Sequence, residues 1–327
     1  MTITRRAAAL VLSTLPFALL RAARADDYPS RPIRVIIPFG AGGPTDVFTR
    51  ALAEELRKAL GQPLVSENRP GAGTVIGTEV ASKAAPDGYT LLMVSATQTV
   101  NETLIPDKSY KLMADFVPVA QLFHSELVMV LHPSVPADNV KEFIALAKQK
   151  PGQLNYASSG IGSNYHMAGE LFKNLTGTDL LHVAYRGSSG ARTDILGGQV
   201  QMMFDSIPTM APFIQAGKVE ALGTSGRTRS VALPDVPTLA EAGVPGYEAT
   251  IWIGMVAPKG TPQPIVAKLN AAMMAALADA DTRKKLLDLA QVIYPPEQQT
   301  PQALHAFQKA EIEKWWPIIK AAGIKAE

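Results

Sequence analysis

VIIPFGAGGPTDVFTRALAEEL, from Val35 to Leu56, places an apolar β-branched run, three glycines and a helically spaced run end to end. RPIRVIIPF (31–39) reads as a strand, and Val47, Phe48, Ala51, Leu52, Leu56, Ala59 and Leu60 recur with a helical period until Gly61 stops them. A glycine-rich turn between strand and helix aims backbone N–H groups outward at a helix start. There the unsatisfied amides and the macrodipole favour negative charge. What that charge belongs to is the question the rest of the chain answers.

A nucleotide phosphate fits poorly. The P-loop pattern needs a lysine after its last glycine, whereas Gly40 is followed five residues later by Thr45 and then Asp46. The dinucleotide pattern G-x-G-x-x-G is met by Gly40 and Gly42, with Glu67 as a ribose acid, but its third position is Thr45, and Asp46 in the first helical turn repels a pyrophosphate. A plain structural turn accounts for the stretch too, with Pro44 at the first helical position and Asp46 offsetting the dipole. Against that reading stands a second loop of the same design. NYASSGIGSNYHMAGELF gives a strand, then Ser158-Ser159-Gly160-Ile161-Gly162-Ser163, then a helix carrying Met167, Ala168, Leu171 and Phe172.

Working outward, QPLVSENRP is a short strand, GAGTVIGTEVASKAAPDG a glycine-opened helix and YTLLMVSA a buried strand, an alternation that implies a parallel, doubly wound sheet. ADFVPVAQLFHSELVMVLHPS holds paired strand-like runs long enough to leave one sheet and enter another. A second series then runs NVKEFIALAKQKP (helix), GQLNYASS (strand), GSNYHMAGELFKNLTG (helix), DLLHVAYRG (strand), SGARTDILGG (helix) and QVQMMFDS (strand). IWIGMVAPKG (251–260) returns as a strand, and helical stretches follow at 264–278, 281–290 and 301–322. The expectation is two α/β lobes, one built from residues 26–124 and 248–327 and the other from 125–247, with the two glycine-rich loops facing each other across a cleft. Ligands of open α/β sheets sit outside the carboxyl ends of the strands. Hydrogen bonds to a charged group contribute about 1.5–3 kcal/mol each, so a small carboxylate held by several amides needs neither metal nor lysine.

Composition narrows the setting. Residues 1–25 read as a cleavable export signal: Arg5 and Arg6, an apolar run from Ala7 to Leu20, and Ala23-Arg24-Ala25 as a cleavage site. Cleavage after Ala25 removes four arginines and no acid, taking 31 basic side chains to 27 against 29 acidic ones, a net −2. No basic stripe remains for nucleic acid. The chain has no cysteine, so disulfides and thiolate metal sites are excluded and packing must hold the fold. Five histidines include no H-E-x-x-H, and no G-x-S-x-G is present.

YPSRPIRVIIPFGAGGPTD, NRPGAGTVIGTEVASKAAPDGYTLL, YASSGIGSNYHMAGELF, VAYRGSSGARTDILGGQVQMMFDS and PTLAEAGVPGYEATIWIGMVAPKGTP follow, in order, the motif series of the Bug (TctC-like) solute receptors of tripartite tricarboxylate transporters. The resemblance spans nearly the whole mature chain. It implies an α/β, two-lobed periplasmic-binding-protein (Venus-flytrap) fold of type II-like form, with lobes joined by crossover strands. It also implies a periplasmic, monomeric receptor that closes on a small organic anion, needs no cofactor, and delivers its ligand to membrane permease subunits. Carried onto this chain, Phe39, Ala41, Gly42 and Asp46 hold one carboxylate, and Ser158, Ser159, Gly162 and Ser163 grip the ligand opposite. Thr97 and Asp205 are placed in the same cleft by position.

Arg186 is the candidate for a second carboxylate, because a guanidinium fork matches it bidentately, with a structural salt bridge as the alternative. Asp46 reads equally as a helix cap, Ser163 as an N-cap, His166 as a structural histidine and Trp252 as core or cleft wall. Gly162→Val is expected to abolish closure while leaving the fold intact. The rival functions are a periplasmic enzyme using Asp46 or Asp205 as acid or base, and a sensory subunit for a membrane kinase.

Overall fold

The computed structural model describes residues 28–41, 44–185 and 187–325; the leader, Gly42 and Arg186 lie outside them. β1 (Ile33–Ile37) pairs in parallel with β2 (Leu64–Asn68) and β3 (Thr90–Ser95), the connections being α1 (Pro44–Leu60) and α2 (Val75–Ser82). α1 forms because Phe48, Leu52, Leu56 and Leu60 stack on one face, and all four are buried. Burying each contributes about 1.5–3 kcal/mol. Val47, which the spacing also assigns to that face, is exposed. α3 (Ala96–Leu104) starts directly at the end of β3, and the short α4 (Leu112–Asp115) precedes β4 (Phe116–Leu131).

β4 carries the chain from one half of the molecule to the other. Its first part, through Glu126, pairs antiparallel with β9 (Thr250–Pro258), and its last five residues pair with β7 (Met202–Ser206). The paired runs expected here are one 16-residue strand. Pro118 is tolerated within it because the register shifts there, so the missing N–H falls at an irregularity in the ladder. The second half then proceeds through α5 (Val140–Gln149), β5 (Asn155–Ser158), α6 (Asn164–Thr176), β6 (Leu181–Ala184), α7 (Ser188–Leu196), β7, α8 (Ile207–Gln215) and β8 (Glu220–Thr224). β9 returns, and α9 (Gln263–Ala278), α10 (Ala280–Asp288), β10 (Val292–Ile293) and α11 (Pro301–Ala321) complete the described chain.

Among the described residues ten strands form one continuous sheet, in the order β2-β1-β3-β9-β4-β7-β5-β6, with β8 and β10 joined to β4. The sheet is mixed rather than wholly parallel. β9 lies between β3 and β4 and runs antiparallel to both. A strand that returns from the distant half does not need the right-handed crossover that makes neighbouring βαβ strands parallel. One core packs α1 and α9 on the first half, where Phe48 meets Phe123 edge to face at 4.9 Å. Another gathers β4, α5 and α6 in the second half and takes Trp315 and Ile319 of α11, so the last helix ties the halves together. Among the described residues no helix is long and apolar enough to cross a membrane.

Candidate functional site

The carboxyl ends of strands from both halves open onto one cavity of about 770 Å³. Pro38–Ala41 after β1, Pro70, Gly71, Gly73 and Thr74 before α2, and Ser95 and Thr97 at the start of α3 form one side. Ser159–Ile161 and Ser163–Tyr165 around the start of α6, and Gly187–Ser189 at the start of α7, form the other. Ile251 and Ile253 of β9 make an apolar floor. Trp252, between them, points to the opposite face, fully buried and donating from Nε1 to Glu311 at 3.2 Å; it is core, not cleft wall. The first-turn amides of a helix have no intrahelical acceptor, so each helix start brings N–H groups to the cavity rim. Among the described lining residues none is ionisable except Tyr165, and burial lifts its phenol further above the ordinary range.

Of the residues expected from the sequence, Phe39, Ala41, Thr97, Ser159 and Ser163 line this cavity. Gly42 and Arg186 lie outside the described residues. Asp46, Ser158, Gly162 and Asp205 stand behind the wall, each tied into a support. Asp46 accepts from Arg50 Nε at 3.0 Å; Arg50 also donates to Asn68 Oδ1 at 3.2 Å, and Asn68 Nδ2 donates to the Phe39 carbonyl at 3.2 Å. That chain of bonds holds the first loop from behind.

The second loop is held more elaborately. Ser158 Oγ accepts from the Gly160 N–H at 3.1 Å and lies 2.6 Å from His182 Nε2. The Gly162 N–H, which the sequence suggested would face a ligand, donates to His166 Nδ1 at 3.0 Å. The two imidazoles stack with centroids 3.8 Å apart, and Ser163 caps α6 by accepting from the His166 N–H at 3.2 Å. Burial lowers both histidines, His166 to about 3 and His182 to about 4, so both are neutral near pH 7. Gly162 has φ +73°, and a Cβ there would stand 2.7 Å from Leu104 Cδ2. Gly162→Val therefore disturbs packing and backbone together, and the intact fold expected of it does not follow.

Asp205 is fully buried at the end of β7. It accepts from Arg192 Nε at 2.5 Å and from the Ser206 N–H at 2.7 Å, and Arg192 donates onward to Ser188 Oγ at 2.8 Å. Burial pushes its carboxyl above the ordinary range while Arg192 pulls it back. Neither Asp46 nor Asp205 is among the described residues that line the cavity.

Sequence reasoning passed over Gly71–Thr74 and the serines of α7 as site residues. Gly71, Ala72, Gly73 and Thr74 all have positive φ, and Asn101 Nδ2 pins the Gly73 carbonyl at 2.7 Å. The signal was the P-G-A-G run, since two of those four positions are glycines that adopt such angles freely. Ser188 and Ser189 follow Gly187, whose φ is +116°, in the same strand–glycine–helix pattern as the other two loops.

Residues 48–324 match the tripartite tricarboxylate transporter family receptor. Protein BugT of Bordetella pertussis is 37% identical over 327 residues, covering 99% of each chain. Among solved structures, the periplasmic binding protein BugD is 35% identical with a TM-score of 0.78, covering 92% of this chain and 100% of its own. MatC of Rhodopseudomonas palustris, solved with bound malate, is 36% identical with a TM-score of 0.78, covering 89% of this chain and 100% of its own. These relatives are binding proteins rather than enzymes. With matched helix starts from two halves of one sheet around a single cavity, and with likeness of this extent, the chain belongs to the receptor family of the tripartite tricarboxylate transporters.

Proposed function

We propose that this protein is a periplasmic receptor that captures a small organic carboxylate between its lobes and passes it to the membrane subunits of a tripartite tricarboxylate-type transporter. One observation carries the reading: helix starts from both halves line a cavity whose described walls hold hydroxyls, amides and an apolar floor but no carboxylate. Such a site welcomes an anion without the cost of desolvating a fixed countercharge. Phe39, Ala41 and Thr97 on one side, and Ser159, Ser163 and Ser188 on the other, are the groups assigned to the ligand, with the amide of Gly42 and the guanidinium of Arg186 as further partners. Asp46, Ser158, Gly162 and Asp205 act by positioning those groups. MatC, with its bound malate, makes a short dicarboxylate the first ligand to test. A ligand touching both lobes favours the closed arrangement by the difference of its contacts in the two states.

The test is a carboxylate panel on protein unfolded and refolded to strip any carried-over ligand, read by thermal and urea unfolding. A true ligand at a hundredfold excess over its Kd adds about 2.7 kcal/mol of stability. Mass spectrometry of protein released from the periplasm should show a chain beginning at Asp26. Mono-, di- and tricarboxylates all leaving the unfolding transition unmoved would sink the reading.

A further inference from the structure

Side chains alternate across a strand, so while Ile251 and Ile253 face the carboxylate cavity, Thr250 faces the other side of the sheet. A second cavity of about 700 Å³ lies there, behind the two crossover strands and spanning both halves. Tyr294 and Phe307 wall it from the first half, Ile207 and the exposed Val231 from the second, and His124 and Glu126 of β4 reach into it. The rings form a continuous surface, His124 to Tyr294 at 4.7 Å and Tyr294 to Phe307 at 6.2 Å.

Glu126 is the unusual member. It is 8% exposed, and among the described residues no lysine, arginine or histidine forms an ion pair with it. The guanidinium groups nearby are engaged elsewhere, Arg227 with Glu248 at 2.7 Å and Arg229 with Glu241 at 2.9 Å. The Ser230 side chain offsets part of the effect of burial on its carboxyl, and Gly226 leaves it room, since any side chain at 226 would collide with the carboxylate. Burial lowers His124 to about 4, so it offers no charge near pH 7, and its buried Nδ1 has no hydrogen-bond partner among the described residues. Burial likewise holds the Glu126 carboxyl above its ordinary range. A buried carboxylate is costly unless a cation meets it, and aromatic faces attract organic cations.

We propose that this second cavity binds a small organic ammonium ion, with the charged nitrogen on Glu126 and the apolar body against Tyr294 and Phe307. The inference stands independently of the carboxylate reading, since it uses none of the residues of that cavity. Benzylammonium chloride is the probe, with benzyl alcohol as its uncharged counterpart, titrated into the mature protein by calorimetry at neutral pH. Saturable binding of benzylammonium and none of benzyl alcohol is expected, with affinity falling about tenfold or more in Glu126→Gln. Should that variant fold poorly, the carbon-13 signal of the Glu126 carboxyl in the unmodified protein gives the same answer by moving on addition of the probe. No uptake at millimolar benzylammonium, equal affinity in a folded Glu126→Gln, or a Glu126 signal that stays still overturns the proposal.

Discussion

The loop after β1 and the loop after β5 look alike in sequence, yet they are supported in opposite ways. The first is braced from the surface: Arg50, whose side chain is 54% exposed, links Asp46 to Asn68 and so to the Phe39 carbonyl. The second rests on groups mostly withdrawn from solvent, with Ser158 on the half-buried His182, Gly162 on the buried His166, and the neighbouring α7 start on the buried Asp205 and its partner Arg192. A glycine-rich turn alone therefore does not show where its amides point. In the second loop the N–H groups of Gly160, Gly162 and Ser163 are all taken up within the chain, and the residues left to face the cavity are those at the helix start.

The sharpest break in this comparison comes from Asp205→Ala. Removing one partner of a buried pair strands the other, here Arg192 with a side chain 23% exposed, and should cost about 3–5 kcal/mol in urea unfolding. Asp205→Asn, which keeps an acceptor, should lose less.

Acid comes next. Desolvation lowers the buried His166 to about 3 and the half-buried His182 to about 4 in the folded chain, against about 6.5 when unfolded. Above about pH 6.5 their contribution is complete. As pH falls toward 4 the unfolded chain binds protons that the folded chain refuses, and each histidine removes up to about 1.4 kcal/mol per pH unit. The raised carboxyls of Asp205 and Glu126 act in the opposite sense, gaining stability as pH falls. Unfolding measured from pH 7 to 4 in wild type and His182→Gln isolates the histidine part: the variant's slope should be shallower. Hydrogen exchange should show amides of the second loop losing protection in acid before those of the first, whose brace holds no histidine. The smallest effect belongs to Arg50→Ala, below about 1 kcal/mol, because a pair with one exposed partner is screened by solvent. A loss as large as that from Asp205→Ala would erase the distinction between the two loops.

Much of the architecture was legible because apolar period reports burial directly. The strand at 33–37, the helix ending at Leu60 and the late helices fall within a few residues of their expected places. α3 escaped notice because Thr97, Thr99, Val100 and Asn101 are weak helix formers, although Ser95 and Gln98 form a capping box that the sequence displays. α8 was hidden by Pro208 and Pro212; the first sits in its opening turn, where a missing N–H costs nothing. β8 offered only EALGT, too short and too mixed in pattern to stand out.

By itself the sequence determined the two α/β series, the glycine-opened helix starts and the absence of thiol chemistry, since periodicity, turn chemistry and composition are local properties. Its ordered motifs also carried the family resemblance. Only the tertiary structure decided that β9 runs antiparallel into the centre of the sheet, that Ser158, Gly162 and Asp205 lie behind the wall they were expected to form, and that Glu126 is buried with no ion-pair partner among the described residues. Those outcomes depend on which hydrogen-bond partners arrive from distant parts of the chain, and a buried polar group takes whichever partner the fold brings to it.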